Sequence, residues 1–145
     1  MAARDVSLGD RLEAQGRRLG AREAEHAAAL ERARERAAAL HARVSEAIER
    51  FHAGVAETEA RHLHIGISAI RVDDKHVRAV EFELSRGRHK AIVIAKARGE
   101  VTLVGPFHAG KAEGPCRSFP FEAERDVEEA LATFLERFVE AAATP

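Results

Sequence analysis

The 145-residue chain has no tryptophan, no tyrosine, one cysteine and one methionine. Its seven phenylalanines fall mostly on core-like positions, which leaves no stacking platform of the kind that grips single-stranded nucleic acid. The lone thiol, Cys116, cannot close an intrachain disulfide. The N-terminus lacks the apolar segment of roughly 7 to 15 residues found in secretory signals. The longest continuous apolar run, residues 91–95, falls far short of the ~20 residues needed to cross a bilayer. A cytoplasmic protein without membrane contact is the expectation. Proline is absent from residues 5–60, and three of the four prolines stand at Pro106, Pro115 and Pro120.

What is present divides the chain. Residues 1–60 are an Ala/Arg/Glu-rich helical stretch, and residues 61–145 alternate as short strands before a last helix. Arginine far outnumbers lysine and alanine abounds, the composition of a GC-rich coding sequence. The formal charge of −1 hides a split: residues 61–120 carry 11 basic and 6 acidic side chains, and residues 121–145 carry 2 and 7. A surface uniformly attractive to polyanions is thereby excluded, although a local basic patch is not.

In the arm, a heptad register places Leu30, Ala37, Val44 and Phe51 at one core position and Ala33, Leu40 and Ala47 at the other. Leu12, Leu19 and His26 extend the second row. This seam, chiefly Leu30, Ala33, Ala37, Leu40 and Val44, is the expected homodimer interface, a loose coiled coil because alanine buries little area. Gly16 and Gly20 each cost about 1 kcal/mol in a helix interior, so the dependable helix is expected over residues 21–59, fraying or kinking before it. Residues 44–58 are expected to dock on the head, through Val44, Ile48, Phe51 and Val55.

The head reads as α+β: a four-stranded antiparallel β-meander followed by an amphipathic helix packed on one sheet face. Strands are expected around residues 62–68, 79–84, 90–96 and 100–104, with turns at Asp73-Asp74-Lys75, Ser85-Arg86-Gly87-Arg88 and Arg98-Gly99. Residues 107–120 read as a long irregular loop and therefore as a partner-binding segment, with Phe107, His108, Lys111, Cys116 and Arg117 as its candidate contacts. The last helix repeats Val127, Leu131, Phe134, Leu135, Phe138 and Val139 on one face, with acidic residues at its start.

Four constellations carry chemistry. Gly105 to Lys111 matches phosphate-loop spacing, but Ala112 stands where a magnesium-binding hydroxyl belongs and Gly114-Pro115 breaks the helix that should follow. His62 and His64 would share one strand face as a weak metal pair, with His89, His108 or Cys116 as a third ligand, although no acidic or cysteine ligand stands at a recognised spacing. Cys116 would need His108 as its base for nucleophilic chemistry. Arg86, Arg88 and Lys90, with Lys96 and Arg98, form a basic hairpin of the kind that contacts phosphates. The expectation is a non-enzymatic interaction or scaffold protein without cofactor, self-associating through its arm and offering its head to a protein partner. Charge-driven nucleic-acid binding is the alternative, and a metal- or Cys116-dependent enzyme the lesser one.

Overall fold

The computed structural model describes residues 6–73, 78–110 and 114–144. Helix α1, Leu8–Val55, is one unbroken rod of 48 residues, about 72 Å long at 1.5 Å per residue. The kink expected near Gly16 and Gly20 does not occur. Ser7 caps the helix by accepting from the Asp10 amide at 3.0 Å, and Glu13 pairs with Arg17 one turn later. Good helix formers around the glycines outweigh their cost.

Six strands follow: β1 Gly66–Ile67, β2 Arg71–Asp73, β3 Ala79–Arg86, β4 His89–Lys96, β5 Glu100–His108 and β6 Cys116–Pro120. They form one antiparallel sheet in the order β1-β3-β4-β5-β6, with β2 also on β3. The α+β class holds, but the described residues form six strands rather than four. The first expected strand, residues 62–68, forms only over Gly66–Ile67 and ends at Ser68, and the unexpected β2 at Arg71–Asp73 continues along the same edge of β3. There the Ser68 amide donates to Glu83 O at 2.8 Å and the Ser68 hydroxyl accepts from the Glu83 amide at 2.8 Å. The hydroxyl takes the place of the Ser68 carbonyl, which turns to accept from His41 Nε2 on α1 at 2.9 Å. The described parts of residues 107–120, 107–110 and 114–120, hold more strand than their prolines imply. β5 runs on to His108, and Cys116–Pro120 pairs with it from Val104 to Glu100. The Asp74 and Lys75 part of the expected turn lies outside the described residues.

Helix α2, Glu124–Ala143, lies on the same sheet face as α1, and the two run in the same direction: Arg36 approaches Glu124, and Arg43 pairs with Glu128. One core joins Leu40, Val44 and Ile48 of α1 to Phe82, Val93 and Leu103 of the sheet and to Val127, Phe134 and Phe138 of α2. A second cluster packs Ala33 and Ala37 on Val80 and Ala95. The heptad seam expected to face a second arm therefore faces the chain's own sheet: Ala33, Ala37, Leu40 and Val44 are at most 3% exposed. Full burial begins at Ala33, and Leu30 already packs on the second cluster, earlier than the expected residue 44.

Candidate functional site

The first half of α1 reaches beyond the sheet. Its buried positions start at Ala33, and among the described residues Glu23 of the arm pairs with Arg78, just before β3, at 3.5 Å. Before it, Leu8, Leu12 and Leu19 are 74%, 62% and 44% exposed, as large hydrophobics seldom are in a row. At 100° per residue they fall within one narrow stripe, in line with Ala33, Ala37 and Val44. The stripe that the sheet covers at one end of α1 is bare at the other. Ser7 fixes the start of this segment as helix, and i,i+4 and i,i+3 pairs of Arg17 with Glu13 and Arg18 with Gln15 support it.

The head offers two more surfaces. Away from both helices, the sheet presents Ile92, Ile94, Val104 and Thr102 in its middle. Around them, Arg71 pairs with Glu81 and Glu83, and Lys90 with Glu83 at 3.2 Å. The Arg71 guanidinium is held further on the charged side by its hydrogen bond to Glu81, against the opposing effect of burial. Thr102 and Ser118 share a hydrogen bond of 2.8 Å. On the helical side, α1 and α2 leave between them a groove of about 410 Å³, lined by Ala47, Phe51, Leu135 and Val139 with Glu136 and Glu140 at its rim.

The basic hairpin does not assemble into one phosphate-facing patch. Strand alternation sends Arg86 to the helical side, where it donates to the Ala142 carbonyl at 2.7 Å and caps the end of α2. Lys90 points to the other face and is paired with Glu83. Lys96 approaches Glu100 at 3.8 Å, and Arg98 Nε donates to the same carboxylate at 2.7 Å. Arg88 is exposed at the β3–β4 turn.

His62 and His64 precede β1 and do not share a strand face. His64 stacks on His52 with ring centroids 4.6 Å apart, and His52 Nε2 accepts from the Ile65 amide at 3.0 Å. That nitrogen is therefore committed to the backbone rather than free for a metal. Burial, and next the neighbouring His64, push the His52 pKa below its ordinary value, with Glu49 opposing. His89 and His108 face each other across β4 and β5 at 4.5 Å. Among the described residues no group of three or more histidine, cysteine or acidic side chains is arranged to hold a metal ion. His52 escaped the sequence reading, though it falls one turn after Ile48 on the head-facing side of α1.

Cys116 is exposed and stands opposite Val104, whereas His108 lies four residues further along β5 opposite His89. The expected thiol and base are thus not brought together. The cavity beside Cys116, between the β5–β6 hairpin and α2, holds about 50 Å³ and is flanked by Arg117, Phe134 and Arg137. Ligand sites usually measure several hundred Å³. Phe107 and His108 belong to β5 and Arg117 to β6, where its guanidinium lies 5.0 Å over the Phe119 ring. The phosphate-loop resemblance dissolves in the same way. Gly105 to His108 is strand, and the Gly105 amide donates to the Pro115 carbonyl at 2.7 Å. Lys111 lies outside the described residues. Among the described residues, no helix is long and apolar enough to cross a membrane.

No family model matches the chain, and neither a curated protein nor a solved structure matches it.

Proposed function

We propose that this is a non-enzymatic interaction protein in which a projecting helical arm joins two copies and each copy carries an α+β head to a protein partner. The observation that carries this is the bare stripe of Leu8, Leu12 and Leu19 on a capped helix that extends past the core it helps to build. Leucines at such spacing on a solvent-exposed helix gain by burial against a like surface, about 1.5–3 kcal/mol for each side chain fully covered. The pairing of Lys90, Lys96 and Arg98 with carboxylates, and of Arg86 with a helix end, disfavours the nucleic-acid alternative. The separation of Cys116 from His108 disfavours thiol catalysis.

The test is the molar mass of the full chain by multi-angle light scattering, compared with Leu12→Glu combined with Leu19→Glu. Both sites are exposed and far from the core, so the double variant keeps its fold and its circular dichroism. Wild type should approach the dimer mass with rising concentration, and the variant should stay monomeric. Equal masses for the two proteins would remove the reading's support.

A further inference from the structure

What can lie on the bare stripe is limited by what lies further along it. A second helix resting on Leu8, Leu12 and Leu19 and running parallel to α1 would collide with the chain's own sheet. The sheet begins at the Glu23–Arg78 bridge and covers this same helix face from Ala33 onward. A helix running the other way leaves past the N-terminus of α1, away from the chain's own sheet. We propose that the occupant is the arm of a second copy of this chain, packed antiparallel, with residues 8–20 of the two arms overlapping and the heads at opposite ends. This rests on the arm-pairing function above and adds its orientation and register.

The arm is complementary to its own reverse. Gly9, Gly16 and Gly20 form a column beside the leucine stripe. A Cβ built on Gly16 or Gly20 meets nothing within 4 Å, and one on Gly9 meets only Ser7 Oγ at 3.8 Å. In antiparallel pairs of helices, each layer joins one column of the first helix to the adjacent column of the second. Reversal about Ala14 sets Leu8 opposite Gly20, Leu12 opposite Gly16 and Leu19 opposite Gly9, so each leucine enters a space that a glycine leaves open.

Charge and length agree with that register. Arg17, Arg18 and Arg22 cluster at the head end of the arm, and Asp10 lies near its tip. Antiparallel packing sets Arg18 of one copy level with Asp10 of the other and Arg17, which keeps its own Glu13 partner, level with Arg11, whereas parallel packing would set the two arginine clusters side by side. In this register Ser7 of the second copy arrives level with Ala21, so the helical overlap of residues 8–20 ends short of the Glu23–Arg78 contact. An overlap of ~20 Å along the helix axis is a short contact, and the association should be reversible and concentration-dependent.

Disulfide trapping tests orientation and register together. In full-length protein carrying Cys116→Ser, a cysteine is placed at either Gln15 or Leu19. Gln15 and its counterpart are about two residues, ~3 Å, apart along the axis and flank the same side of the interface. Leu19 and its counterpart are ten residues, ~15 Å, apart, beyond disulfide reach. Mild oxidation should convert most of Gln15→Cys, and almost none of Leu19→Cys, to a covalent dimer. Trapping of Leu19→Cys instead of Gln15→Cys would overturn the antiparallel orientation. A dimer mass by light scattering with neither cysteine trapped would overturn the register while arm pairing stood. A monomer mass for the reduced Gln15→Cys protein at all concentrations would overturn arm pairing and this proposal with it.

Discussion

Replacing Ala37 by leucine separates two readings of α1 by the sign of its effect. Ala37 is 1% exposed and, with Ala33, packs on Val80 and Ala95. The small side chains let the helix lie close on the sheet, and the added branched carbons of leucine have no space there. Overpacking of this kind costs about 1–3 kcal/mol. For a chain this size each kcal/mol lowers Tm by roughly 2–4 °C, so a fall of ~2–12 °C is expected. If residues 30–44 instead formed the seam of a coiled coil between two chains, leucine at a core position would bury more apolar surface and raise Tm. Thermal unfolding followed by circular dichroism, at one protein concentration, decides between them. Ala47→Leu is the control, because Ala47 shares the heptad row of Ala33 and Leu40 yet is exposed here, so it should move Tm little. A rise in Tm for Ala37→Leu would refute the helix-on-sheet packing.

Other outcomes follow from the same structure. His52 is held neutral in the fold, below its ordinary pKa of 6.5, so the unfolded chain binds the extra proton. Its contribution to stability is complete above pH 6.5 and is lost as pH falls from there through the folded pKa. Denaturant titrations at pH 7 and pH 5.5 should show that loss, and His52→Gln, which keeps an acceptor for Ile65, should show less of it. Gly105 has φ +116°, and a Cβ there would meet Lys90 O at 3.0 Å and Ala91 Cα at 3.1 Å. Gly105→Ala should therefore destabilise by more than ~1 kcal/mol in urea unfolding. Filter binding with DNA and RNA at moderate salt should give no retention, and retention abolished by Arg86→Glu with Arg88→Glu would restore the nucleic-acid reading.

How much was legible depends on which physical signal dominated each segment. The alternation of Val80, Phe82 and Leu84 marks β3 because one face of it is buried, and the unbroken apolar run Ala91 to Ala95 marks β4, which lies centrally between β3 and β5 with Ile92 and Ile94 half-buried on its open face. The repeat from Val127 to Phe138 likewise marked α2. β6 was hidden by prolines on both sides and by residues exposed except at Phe119, as an edge strand allows. β2 is three residues long and held by cross-strand pairs of Arg71 that local pattern cannot display. The heptad in α1 was visible but was assigned to the wrong surface. Its buried positions run Ala33, Ala37, Leu40, Val44, Ile48, the drift of a straight helix on a sheet, so Ala47 has turned outward where a supercoil would keep it inward. In the sequence, Leu12 and Leu19 stand only as an extension of that row. Their exposure, and hence their importance, follows only from where the sheet ends.

Small-angle X-ray scattering on the wild-type protein, at a concentration where light scattering gives the dimer mass, tests the central claim most directly. Two 48-residue helices overlapped over the free arm by ~20 Å span about 125 Å, with a lobe of mass at each end. An antiparallel arm pair gives that maximum dimension and a two-lobed distance distribution. A maximum dimension that stays near the ~72 Å of a single α1 at the concentration giving the dimer mass would contradict it.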